Sequence, residues 1–341
     1  MKKLAIILAL AVSAHAEQKN VQILTNMSDL QLQRAMNLMR GALGVHCDFC
    51  HVVDKEHGWQ WDKDDKKEKK TAREMIAMTI KINKEQFGGR AEISCFTCHR
   101  GSIRPVSLLP LPQTAPPFPT PKPERPELPA LDEIVKHYTA ALGNVARLEK
   151  PRILKGTRTT YDGKSSQIDV QESGDRWHIV GDLPEGRVEQ VVNGSQGWSK
   201  DAKGVTEFTP AMVENFRQIA SMMTPPLPSA IPPDARVVGK ETIPPNVEAY
   251  IVAYRTPDGA RHRLYFNSTT GLLVRAVTMR DTPIGVMPEQ TEFVKWQDTG
   301  GTAFPFGIQT SLVDPWVGTI RQYTSVTLDA KVDPEVFAKP K

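Results

Sequence analysis

Cys47-Asp48-Phe49-Cys50-His51 and Cys95-Phe96-Thr97-Cys98-His99 decide how this chain is read. All four cysteines of the 341 residues are spent on these two segments, and both follow the pattern C-x-x-C-H. That pattern is a c-type haem attachment site. Two thiols three residues apart reach the two vinyl groups on one edge of a porphyrin, and the next residue swings an imidazole nitrogen under the iron. Cys47, Cys50, Cys95 and Cys98 are therefore the candidate attachment residues for two covalently attached c-type haems, with His51 and His99 as iron ligands. Competing chemistries fit less well. Residues 51–94 separate the two pairs, far more than the roughly 15–20 residues of common zinc modules. C-x-x-C is a tight loop for a structural disulfide, and a thioredoxin-type site would need βαβ surroundings.

Outward from the motifs, Ser28–Leu43 and Thr71–Phe87 carry apolar residues at helical spacing, the first with Ser28 or Asp29 as a possible cap. Each predicted helix holds a methionine pair at i, i+3, Met36 with Met39 and Met75 with Met78, which places both members on one face. A thioether on the iron gives His/Met ligation and raises the potential. The alternative is core filling, the commoner use of Met on an apolar face, and one member of each pair is expected to serve that way. His46 is a weaker candidate for a distal ligand. His57, Trp59 and Trp61 are candidates to cover a haem edge. The mixed-charge run 62–70 reads as a solvated helix start, with a lysine-rich docking patch for an acidic partner as its functional alternative.

The block 36–51 followed by 72–101 resembles one half of the tetrahaem cytochrome subunit of photosynthetic reaction centres. The shared pattern is a Met-bearing helix followed by C-x-x-C-H, repeated, and residues 73–78 and 95–101 are especially similar. Two-motif exported relatives of that subunit in non-photosynthetic bacteria are more similar still. The resemblance implies that Met36 faces the haem on Cys47, Cys50 and His51, and that Met75 faces the haem on Cys95, Cys98 and His99, with Met39 and Met78 as the runner-up ligands. It covers about 85 residues. This chain departs from the family in having two motifs instead of four and no lipid-anchoring cysteine.

The rest of the chain sets the context. A length of 341 residues predicts two domains. A composition 40% hydrophobic and 24% charged is ordinary for a globular protein, and a net charge of +4 is too weak to argue for nucleic acid. Lys2 and Lys3, the apolar run Leu4–Val12 and Ala14-His15-Ala16 have the layout of a secretory signal peptide over 1–16. The predicted location is periplasmic, with any membrane association made through partners. Residues 17–101 form the expected dihaem domain. Residues 102–130 hold ten of the 27 prolines and read as a semi-rigid linker. Residues 131–341 open with an amphipathic helix, Leu131–Leu142, and continue in short alternating runs punctuated by Asp162-Gly163, Asn193-Gly194, Asp258-Gly259 and Thr270-Gly271. This predicts an antiparallel meander. His137, His178 and His262 within it read as structural. Through its opening helix, its meander and the segments 193–200 and 264–277, this region resembles the LolA-type lipoprotein-sorting carriers, which implies a curved half-barrel for a lipid or other apolar ligand.

The expected fold class is α+β: a small α-helical dihaem domain, a Pro-rich linker and a half-barrel-like antiparallel β domain with a few helices. The expected function is one-electron transfer by a periplasmic dihaem c-type cytochrome, not an enzyme, serving periplasmic or membrane-bound redox proteins. Its β domain would dock a partner or hold an apolar ligand. The alternatives are a haem enzyme (peroxidase, or quinol or lipid oxidation) with one open iron, and a redox-linked lipid-binding protein.

Overall fold

A computed structural model describes residues 19–339 except 26, 110, 113, 115–126, 161, 184–185 and 314–317. The signal-peptide reading and most of the Pro-rich segment lie outside the described residues. By its internal contacts the chain forms two compact units. One runs through residue 127 and also includes 279–287, and the other holds 128–278 and everything from 288 onward.

The helical unit is built on α1 (Asp29–Leu43), α2 (Lys67–Phe87) and α3 (Cys95–His99), with a short hairpin of β1 (Val52–Asp54) and β2 (Gly58–Gln60). Ser28 starts α1 through a capping box: its Oγ accepts from the Gln31 N–H, and the Gln31 side chain accepts from the Ser28 N–H. Gly44, in the left-handed conformation, ends it. Helix α2 begins four residues before the predicted Thr71, which moves part of the charged run 62–70 into the helix. Its buried stripe is Lys69, Ile76, Thr79 and Asn83. The core of this unit is small: Leu24, Ala35, Leu38, Ile76 and Ile284. Ile284 lies in the hairpin tip 279–287, more than 200 residues downstream of its neighbours.

The second unit opens with α4 (Leu131–Leu142), as its 3.6-residue periodicity predicts. Strands β3 (Arg152–Thr160), β4 (Ser165–Ser173), β5 (Arg176–Leu183), β6 (Gly186–Asn193), β7 (Gln196–Asp201) and β8 (Gly204–Glu207) follow. After α5 (Pro210–Met222) come β9 (Arg236–Ile243), β10 (Val247–Arg255), β11 (Arg261–Asn267), β12 (Leu273–Thr282), β13 (Gly285–Asp298), β14 (Ala303–Leu312) and β15 (Thr319–Leu328). They form one 13-stranded antiparallel sheet in the order β8-β7-β6-β5-β4-β3-β15-β14-β13-β12-β11-β10-β9. The sheet does not close, so it is half-barrel-like. The four predicted turns join consecutive strands, and each of their glycines has a positive φ. The core buries Tyr138 and Leu142 of α4 against Leu154, Phe266, Phe293 and Phe304. The Tyr138 hydroxyl stays satisfied by donating to the Pro226 carbonyl at 2.9 Å.

Candidate functional site

The two motifs fold alike at the local level. Cys47–Phe49 is a single 3-10 turn, and the N–H groups of Cys50 and His51 both donate to the Cys47 carbonyl, at 3.3 and 3.0 Å. Cys95–His99 is the one-turn helix α3, started by a Ser94–Thr97 capping box and stopped by Arg100 in the left-handed conformation. In each case a helical turn carries the cysteines at i and i+3, which puts both thiols on the same side. None of the four cysteines forms a disulfide. Burial pushes the Cys50 and Cys95 thiols up. Among the described residues no group of three or more His, Cys, Asp or Glu converges to hold a bare metal ion.

The histidines are oriented in the same way. His51 Nδ1 lies 3.2 Å from the Trp61 carbonyl, and His99 Nδ1 lies 3.0 Å from the Ser102 carbonyl. A carbonyl oxygen only accepts, so each ring carries its proton on Nδ1. Each Nε2 keeps its lone pair, as an iron ligand requires. Burial, and next the Lys69 ammonium, lowers the His51 pKa and favours the neutral ring.

A network fixes the carbonyl behind His51. Lys69, nine-tenths buried, donates from Nζ to the Trp61 and Lys63 carbonyls at 2.8 Å each and pairs with Asp64 at 3.1 Å. Arg73 grips Asp64 through two hydrogen bonds of 2.9 Å. This grip leads the causes that hold the Asp64 carboxyl well below the usual range. The charged run read as a solvated helix start thus contains a buried lysine, because three acceptors converge on its ammonium. Trp61 also stands edge-on to the His51 ring at 5.1 Å and stacks on Trp59 at 4.6 Å. His57 forms an exposed pair with Asp54 at 3.2 Å, and His46 is an exposed residue preceding the first turn.

Asn83 anchors the second motif, and sequence reading did not single it out. Its side-chain amide is 3% exposed and bonds residue 93 in both directions, Nδ2 to the Ile93 carbonyl at 2.8 Å and Oδ1 from the Ile93 N–H at 2.9 Å. A buried polar residue on the apolar face of an amphipathic helix is the signal that could have found it. Close backbone packing ties α1 to the end of α3. The Gly101 N–H donates to the Ala42 carbonyl at 2.8 Å, and a Cβ on Gly44 would stand 2.3 Å from the Gly101 oxygen.

The methionines divide unequally. Met36 and Met39 are half-buried, and Met39 packs on the same core cluster as Cys95. Met75 and Met78 share the outer face of α2 and are 37% and 46% exposed, so neither fills the core. Exposed apolar side chains gather in this unit: Val53, Trp59, Phe96, Ile103 and Val106 join the two methionines. The site as a whole fits haem. It offers paired free thiols on helical turns, imidazoles with Nε2 available, thioethers on helix faces, and apolar surface for a macrocycle to cover. In the β-rich unit, His178 bonds Glu189 at 2.8 Å, and His262 lies between Thr256 and Thr278 and stacks on Tyr254, while His137 lies against Gly271.

Among solved structures, the β-rich region is similar to a LolA superfamily protein from Nitrosomonas europaea. That match has 10% identity and a TM-score of 0.40, covering 61% of this chain and 97% of that one. It is also similar to a DUF1329 family protein from Desulfovibrio piger, with 12% identity and a TM-score of 0.41, covering 61% and 97%. No curated protein matches the chain. No helix among the described residues is long and apolar enough to cross a membrane. Residues 7–113 match the model of the photosynthetic reaction centre cytochrome C subunit, a family that implies covalently bound haem and electron carriage. The amino-terminal third of this chain is thus similar to the cytochrome C subunit of photosynthetic reaction centres.

Proposed function

We propose that this protein is an exported dihaem c-type cytochrome that relays single electrons between periplasmic or membrane-bound redox proteins. The observation that supports this most is the shared histidine geometry: His51 and His99 both spend Nδ1–H on a backbone carbonyl and keep Nε2 for a metal. Bound haem supplies a one-electron couple. The chain tethers it through Cys47 and Cys50, and again through Cys95 and Cys98. Trp61 and Ser102 hold the histidine rings in one tautomer. Met36 and Met75 would supply thioethers to the two irons, with Met39 and Met78 next in line. The apolar core cluster of the helical unit is small among the described residues, so the two groups complete its core. The β-rich unit docks a partner or holds an apolar molecule.

The exposure of both α2 methionines favours a second reading, a haem enzyme whose second iron is open to substrate. Intact-mass measurement of the protein made in a host with c-type haem maturation tests the cofactor count. Two haems retained after denaturation are expected, falling to one when Cys95 and Cys98 are replaced by serine. One haem or none in the wild type would sink the proposal.

A further inference from the structure

In the β-rich unit a cleft lies between the sheet and α5, with about 810 Å³ of space when its solvent-open mouth is included. Two arginines line it, Arg158 on β3 and Arg321 on β15. They are direct partners in the strand ladder, so both side chains leave the same face and their like charges repel. Arg321 is 7% exposed and its Nε has no hydrogen-bond partner. Nη1 of Arg158 is also buried without a partner. Neither arginine has a salt bridge among the described residues: the neighbour of Arg321 is the neutral Tyr323 hydroxyl, and Arg158 feels only a weaker attraction from Asp162, which itself pairs with Lys164. Burial, and then Arg321, brings the Arg158 pKa down to about 10, which leaves it charged at neutral pH.

Arg152, equally buried, shows how this fold treats a guanidinium that belongs to the scaffold. Its Nε donates to Glu172 at 2.6 Å and its Nη2 to Thr224 at 2.8 Å. Glu172, the carboxylate lining the cleft, is thereby taken. A buried cation without an ion pair is costly, and Arg321, with the half-buried Arg158 beside it in an open cleft, calls for a counter-charge from outside. The remaining walls are mostly apolar, including Ile168, Trp177, Phe216 and Met223, with Ser166, Gln190 and Thr319 adding neutral polar groups.

We propose that this cleft binds an amphipathic anion, with a single carboxylate or phosphate head held between Arg158 and Arg321 and an apolar body against Ile168, Trp177, Phe216 and Met223. The proposal rests on the reading of the β-rich unit as a binding domain and names the head group. Guanidinium groups suit such heads because they donate two parallel charge-assisted hydrogen bonds. Calorimetric titration of the full-length holoprotein with laurate, dodecyl phosphate, dodecanol and acetate, each below its micelle concentration, tests it. Laurate or dodecyl phosphate should bind at least about tenfold more tightly than dodecanol or acetate, and the tighter of the two identifies the head. Arg158→Gln and Arg321→Gln should each weaken that anion about tenfold or more and leave dodecanol unchanged. Equal binding of laurate and dodecanol would overturn the arginine assignment while leaving an apolar binding domain in place. Acetate binding as tightly as laurate would overturn the apolar body. Failure of every probe would overturn both this proposal and the binding-domain reading. If a variant does not fold, the wild-type comparison of laurate with dodecanol decides alone.

Discussion

Lys69 is the residue on which the first motif turns. Its ammonium is held by two carbonyls and Asp64, and one of those carbonyls also orients His51. Lys69→Met removes these bonds without opening a cavity and should cost about 1–3 kcal/mol of stability in a denaturant titration. Removing a positive charge behind the ligand also favours the oxidised iron, so the potential of the first haem should fall relative to the second. Equal potentials in wild type and variant would detach Lys69 from the site. Asp64 gives a pH signature. Its carboxyl is held below the ordinary value of 3.8, first by Arg73. The stability it adds is therefore fully present above pH 3.8 and is lost as the pH falls from there toward the folded-state value. The stability gap between wild type and Asp64→Asn should be open at pH 7 and narrow below pH 3.8. A gap that does not change with pH would contradict the assignment. None of this was legible in the run DKDDKKEKK, since charge pattern does not tell which lysine meets three acceptors in the folded chain.

At the scale of elements, the sequence signals that carry their own mechanism survived best. The C-x-x-C-H segments fold as helical turns, Ser28 caps α1, and Leu131–Leu142 is helical end to end. The turns at Gly163, Gly194, Gly259 and Gly271 all connect strands. Less legible were elements whose pattern is interrupted. Strand β14 carries Pro305 and Gly307, which blur its alternation. Helix α5 has a sound start in Thr209 and Pro210 and ends at Met222, yet the proline-rich stretch 225–233 that follows it reads as a loop and blurs its end. Asn83 was missed for another reason: its partners, the backbone groups of residue 93, are chosen by the loop that follows α2. Asn83→Ala leaves both groups of Ile93 without that partner and should destabilise the helical unit by about 2 kcal/mol. The spectrum of the second haem should change before that of the first. A variant in which both sites respond alike would show that Asn83 supports the unit generally and does not anchor the second motif.

At the scale of the whole molecule, the helical unit is not a continuous stretch of chain. Segment 279–287, part of a meander by its sequence, contributes Ile284, which is 0% exposed among Leu24, Ala35, Leu38 and Ile76. A Cβ on Gly285 would stand 2.4 Å from the Ser94 Cβ, so the tip passes close to the residue that caps α3. Nothing in the sequence pairs positions so far apart. Ile284→Ala should cost about 2–4 kcal/mol, read as a lower thermal midpoint in the haem absorption band. An unchanged midpoint would mean that this contact does not support the haem unit. The central claim is that both irons are capped and the protein carries electrons. A spectroscopic redox titration of the mature holoprotein, with carbon monoxide added to the reduced form, tests it most directly. Two reversible one-electron transitions and a reduced spectrum untouched by carbon monoxide are predicted. Carbon monoxide binding at one iron would contradict the claim and favour an enzyme with an open coordination site.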